Sequence, residues 1–388
     1  MTRRPERGFT LIELMVALVV SALLVGMILA IFSRMSLAYR GQQQIAGVQQ
    51  VLAAARATIE LDAKQAGFRM AQGFKIASDP TNLQSPVQIT NSNTGPDRVA
   101  FFYADASAQA VVTAVVGSWA TTPTVTVDLT TGFAPGDLVV LSTADPKLPS
   151  PIDASDAMLV TYDACVLRIA PGGVVGTQGG SITFETSSPW GLPDSSHCTT
   201  PFAPPVPPSS TIQAPMLYKL VAHAYRIDPD PARAALGPLQ GSLISGGLLH
   251  SAADNWTDLA YGFTDIQTAL QVFDGDGIDT ADLDTDGNRE WYSSAMQQTL
   301  TQPIPVAATF VPPIEISISL VARTDRDVEG IATAATPQLI DPAIPDNNTV
   351  GDHPSVPLPS ATDPALQGSR IYRYTTFQVD LRNLGVGR

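Results

Sequence analysis

Hydrophobic and polar positions divide this chain into an unbroken apolar run, a striped segment and a long remainder of short alternating runs. From Leu14 to Phe32 the only residues that are not apolar are Ser21 and Gly26. These 19 residues, at about 1.5 Å per residue, make a helix of roughly 28 Å, enough to cross a bilayer core. Beyond them Ile45, Val48, Leu52, Ala55 and Ile59 recur at spacings of three, four, three and four. Gln42, Gln43, Gln44, Gln49, Gln50, Arg56 and Glu60 fill the positions between. This is the stripe of an amphipathic helix, so one helix is predicted to continue to about residue 66.

After Gly67 the period changes. Runs at Arg98–Tyr103, Ala110–Val116, Thr124–Leu129, Asp137–Ser142, Met158–Ile169, Ser181–Glu185 and Leu217–Ile227 are rich in Val, Thr and aromatics. Gly, Pro and Asp separate them, which predicts strands and turns. Gly172–Gly173 and Gly179–Gly180 are read as flanking turns. Pro201–Pro208 carries five prolines in eight residues and predicts a stiff connector between a β-rich insertion and the rest of the head. Ile314, Ile316, Ile318 and Leu320 alternate with Glu315, Ser317 and Ser319, predicting a half-buried antiparallel strand. Tyr372–Leu381 alternates likewise, with Arg373, Thr375, Phe377, Val379 and Leu381 on one face. The stretch from Asp325 to Ser369 has little periodicity and is read as a long surface loop.

Charge sharpens the N-terminal picture. Arg3, Arg4 and Arg7 precede the apolar run, so the leader is expected to stay cytoplasmic and the bulk of the chain to lie outside. A secretory signal is cut after its apolar region; here the small residue suited to cleavage, Gly8, lies before it. Glu13 stands at the edge of the run. A charge at the centre of a membrane helix costs about 2.5–3.5 kcal/mol on insertion scales, and the helix itself is expected to offer Glu13 no partner.

Gly8, Phe9, Thr10, Leu11, Ile12, Glu13 and Leu14, behind an Arg-rich leader, resemble the type IV prepilin processing motif. The resemblance implies that a prepilin peptidase cleaves between Gly8 and Phe9 and methylates the new amine of Phe9. It also implies that Glu13 pairs with the Phe9 amine of a neighbouring subunit. Further along, RATIELDAKQAGFRMA, GFAPGDLVVLS, TDLAYGFTDIQTALQVFDGDG and ISISLVART resemble segments of PilW-family minor pilins in the same order. FQVDLRNLG resembles a last strand shared with J-type minor pseudopilins of type II secretion. The loop at 325–369 departs from that family.

The net charge is −14, which argues against a broad nucleic-acid surface. In an exported head, Cys165 and Cys198 most simply form one disulfide; two buried free thiols are the alternative. Closing that loop would stabilise the head by roughly 3–4 kcal/mol. Residues 274–290 read DGDGIDTADLDTDGNRE. Asp282, Asp284, Asp286 and Gly287 follow D-x-D-x-D-G, the opening of a calcium loop. The expected Glu at the twelfth loop position is Ser293, while Glu290 falls at the ninth. Calcium binding and a plain solvated acidic turn both fit. No cofactor is required by the reading, and Ca2+ is the one it leaves open.

Four histidines, His197, His223, His250 and His353, form no metal-ligand spacing, and no nucleophile elbow, Walker loop or dinucleotide fingerprint occurs. Each histidine is read as a surface or packing residue, and no enzyme is expected. The predicted fold is α+β: a long N-terminal transmembrane and amphipathic helix packed on an antiparallel β-sheet pilin head with a β-rich insertion. Its divisions are a leader at 1–8, a membrane and filament-core helix at 9–33, an amphipathic continuation at 34–66, and a periplasmic head at 67–388. Within the head, the insertion spans about 85–215. The resemblance implies a single-pass inner-membrane protein that moves to a pilus tip. Its implied partners are prepilin peptidase, other minor and major pilins, the inner-membrane assembly platform, a tip adhesin, and membrane lipid before assembly. A pseudopilin of type II secretion and a tip adhesin stand as alternative functions.

Overall fold

The computed structural model describes residues 10–70, 74–76, 79–90, 96–116, 122–142, 164–186, 215–234, 236–243, 256–273, 289–292, 313–324, 371–381 and 383. One helix, α1, runs without a break from Leu11 to Gln65. It ends where the Ala66 N–H turns back to the carbonyls of Asp62 and Ala63. Gly67 follows at φ 76°, a left-handed conformation open to glycine at no steric cost. Its N–H then donates to the carbonyl of Phe102, 2.8 Å away, so the chain turns directly onto a strand. The two halves of α1 differ in surroundings. From Leu11 to Arg40 every side chain is exposed, whereas Val48, Leu52, Ala55, Ile59, Asp62 and Ala63 are buried.

Fifteen strands follow among the described residues. They are β1 (Phe74–Ile76), β2 (Asp79–Gln84), β3 (Val87–Thr90), β4 (Arg98–Val116), β5 (Thr124–Val127), β6 (Leu138–Ser142), β7 (Ala164–Val175) and β8 (Ser181–Phe184). After them come β9 (Met216–Ile227), β10 (Leu239–Leu243), β11 (Trp256–Ala260), β12 (Phe263–Phe273), β13 (Arg289–Tyr292), β14 (Pro313–Arg323) and β15 (Tyr372–Asp380). Eleven form one sheet, and β13-β12-β14-β15 form a second. Every pairing is antiparallel except that of β1 with β7. The fold is therefore α+β, a long helix on antiparallel sheets.

Two long strands, β4 and β9, organise the larger sheet. They pair from Arg98↔Arg226 to Val111↔Met216, with an irregularity between Asp105 and Gln109. Arg98–Tyr103 and Ala110–Val116, expected as two strands, are thus the two halves of one bulged strand, since a bulge bends a ladder without ending it. Beyond the bulge the pairings β4-β5, β5-β8, β8-β7, β7-β6, β6-β9 and β9-β4 close on themselves. This six-stranded ring leaves its members no open edge. Val112, Val125, Val127, Leu141, Leu167, Ile182, Phe184 and Leu217 fill its core, as small barrels require. Strands on either side of Pro201–Pro208 therefore share one sheet, the ring being joined to the rest through β4 and β9.

The sheet pleat sorts the remaining core. On β4, Val99 and Phe101 face α1 together with Tyr225 of β9, while Ala100 and Phe102 face the other way with Met70, Phe74, Ala222 and Ala224. On the helix side, Val48, Leu52, Ala55 and Ile59 pack against Ile316, Ile318 and Leu320 of β14 and Phe377 and Val379 of β15. Fully burying one such aliphatic side chain stabilises the fold by about 1.5–3 kcal/mol.

Two expectations are corrected. Gly172 and Gly173 lie inside β7, where the register shifts between Ile169 and Val174. A Cβ on Gly173 would stand 2.5 Å from the Thr183 carbonyl oxygen, so close strand approach selects glycine there. β14 is not half-buried: Ser317 and Ser319 on its polar face are also buried, and the Ser319 and Thr376 hydroxyls hydrogen-bond at 2.7 Å. The segment TDLAYGFTDIQTALQVF, known only by resemblance, carries most of β11 and all of β12, consecutive strands joined through Gly262 at φ 91° but paired in different sheets.

Candidate assembly site on the N-terminal helix

Thr10 caps α1, and Glu13 is its third helical residue. The Glu13 N–H donates to the Thr10 hydroxyl oxygen at 3.4 Å. In return the Thr10 N–H and hydroxyl donate to Glu13 Oε2 at 3.0 and 2.9 Å. This reciprocal capping box satisfies donors that every helix start leaves without an intrahelical partner. It corrects the expectation that the helix offers Glu13 no partner. The physical reason is position: in the first turn a carboxylate can reach back to the cap, and it sits at the positive end of the helix dipole.

From Leu14 to Phe32 the helix presents an apolar surface on all sides, interrupted only by Ser21 and Gly26. Leu11 is 79% exposed and Phe32 65%, and none of the apolar window is buried within the chain. Exposed apolar surface of this extent is strongly unfavourable in water. An apolar helix with a polar N-terminal cap fits membrane anchoring, and the same surface can pack against other helices.

The other sequence-derived candidates are placed as follows. Gly8 and Phe9 lie outside the described residues, as do Asp282, Asp284, Asp286 and Cys198. Glu290 is on β13, its backbone opposite Val272 of β12. Among the described residues no group of three His, Cys, Asp or Glu side chains could hold a metal. Cys165 is fully buried in the ring core, and no described cysteine is free.

Sequence reasoning missed a second polar constellation. Asp62, 5% exposed, accepts hydrogen bonds from the Tyr103 hydroxyl at 2.8 Å and from the Tyr225 hydroxyl. Tyr103 binds Oδ1, whereas Tyr225 shares Oδ2 with His223 Nδ1, which lies 2.7 Å from it. Burial alone would raise the Asp62 pKa, but the hydrogen bonds of His223 and Tyr225 outweigh it and hold the carboxyl below the usual aspartate range. Burial, with Asp62 adding to it, pushes both phenols up in turn. The signal was present: Asp62 occupies the next stripe position, three residues after Ile59. His223, read from the sequence as a surface or packing residue, is part-exposed and has a specific partner in Asp62.

A family model described as the prokaryotic N-terminal methylation motif matches residues 3–29. Gly8, Phe9 and Glu13 fall within it. Among solved structures the chain is similar to a type IV-like pilin from Thermus thermophilus, with 9% identity and a TM-score of 0.35. The overlap covers 87% of this chain and 97% of that one. No curated protein matches the chain in sequence.

Proposed function

The chain has an N-terminus of the prepilin type, and we propose that it is a minor pilin of the PilW type, acting in the tip or initiation complex of a type IV pilus. The observation that carries this reading is the bare apolar half of α1, with Glu13 at its first turn and the methylation motif across residues 3–29. In this account a prepilin peptidase cuts between Gly8 and Phe9 and methylates Phe9. The freed helix then leaves its capping arrangement, and Glu13 accepts the amine of a neighbouring Phe9. An ion pair in low dielectric is far stronger than in water, so it sets the axial register of helices that otherwise present only non-directional apolar surface. Major pilins and the inner-membrane platform build on that nucleus.

The head supports a place at low copy number. A 388-residue chain with a closed β-ring beside its helix-packing sheets is bulky for a fibre body in which every copy must pack identically. A disulfide between Cys165 and Cys198 is part of the proposal, locking the ring in an oxidising compartment. The test is Glu13→Ala expressed in place of the native chain. Filament initiation is expected to fall while the protein stays at normal level in the inner membrane; normal piliation contradicts the mechanism.

A further inference from the structure

Among the described residues the buried face of the helix carries one charged side chain; at its exposed margin Arg56 lies over the Phe377 ring and the Asn383 amide donates to the Lys64 carbonyl. Along the buried face Val48, Leu52, Ala55, Ile59 and Ala63 make contacts that are non-directional. Such a face alone permits small rotations and slides of the helix in its groove. Asp62 is the charged residue on that face. Its three partners come from the two strands that organise the larger sheet: Tyr103 from β4, His223 and Tyr225 from β9. All three project to the same side as Val99 and Phe101, because Phe101 is opposite His223 and Val99 opposite Tyr225 in the ladder.

We propose that Asp62 is the coupling pin of the molecule, a single carboxylate that fixes the axial and rotational position of α1 on the head. Hydrogen bonds to a buried charge are short, directional and roughly twice as strong as neutral ones. The desolvation of the carboxylate is offset only while its donors are in place. After Gln65 the chain is held by backbone bonds, Gly67 N–H to Phe102 and Ala104 N–H to Phe68. Those hold the turn; Asp62 holds the helix body. The coupling is a property of the single chain. Only its consequence, that axial load between a filament core and the head crosses this point, rests on the pilin reading.

Hydrogen–deuterium exchange of the full chain in detergent micelles tests the proposal without any filament. Asp62→Asn keeps the volume and removes the charge. Amide protection of residues 48–65 is expected to fall at least roughly tenfold, with β12 and β14 unchanged. Unchanged helix protection, or an equal loss across the helix and both sheets, would overturn it. Should Asp62→Asn fail to fold, Tyr225→Phe removes one donor and is read in the same way. A smaller loss confined to the helix supports the pin, and no loss in the helix refutes it.

Discussion

The hydroxyl of Tyr225 donates to the carboxylate of Asp62 across 163 residues of chain, joining the end of the helix to a central strand of the head. Protonating Asp62 removes the charge that gathers its donors. Because its folded pKa is depressed, the stability it contributes is fully present above the ordinary aspartate value of about 3.9. That contribution is lost as pH falls through the folded value. The wild-type chain is therefore expected to exceed Asp62→Asn in urea stability at about pH 5, by a margin that narrows toward about pH 3. A margin that persists undiminished at the acid end contradicts the assignment.

Ile59 is fully buried where the helix stripe meets β14 and β15. Ile59→Ala should cost about 2–5 kcal/mol through lost burial and the cavity left behind. Denaturant melts of the two forms check this; a change below about 1 kcal/mol would mean that the interface collapses to fill the space.

Gly173→Ala tests the ring. The added Cβ meets the carbonyl oxygens of Thr183 and Ala170 at 2.5 and 2.8 Å, backbone atoms that cannot swing away as a side chain would. A loss of about 1–3 kcal/mol in thermal unfolding is expected, with the helix-side core retained.

Much of this architecture was legible because it is local. The apolar run and the stripe fix α1 by periodicity alone, and alternation marked β14 and the buried end of β15 at Phe377, Val379 and Leu381. Three things were not local. The closure of the ring depends on pairing β4 with β9, far apart in sequence. The burial of Ser317 and Ser319 depends on what covers their face. Asp62 lay on the stripe but was passed over because an aspartate reads as polar surface until its donors, Tyr103, His223 and Tyr225, are brought to it. The Thr10–Glu13 capping box, by contrast, is local: a threonine followed three residues later by a glutamate at the start of an apolar helix carries its signature in the spacing alone.

The acidic connection at Asp282, Asp284 and Asp286 leads into β13, whose Arg289 pairs with Phe273 of β12. If that loop holds calcium, calorimetric titration of the intact chain should show uptake at millimolar Ca2+ or below, abolished by Asp284→Ala. No heat of binding at millimolar concentration leaves a plain acidic turn.

A clean deletion of the gene tests most directly the proposed role in nucleating pili, with surface pili and type II secreted proteins scored in the same cells. The account predicts lost pili with normal secretion, restored by the wild-type chain. Lost secretion with intact pili would contradict it and assign the chain to the minor pseudopilins. Intact pili and intact secretion would also contradict it, leaving attachment as the activity to measure.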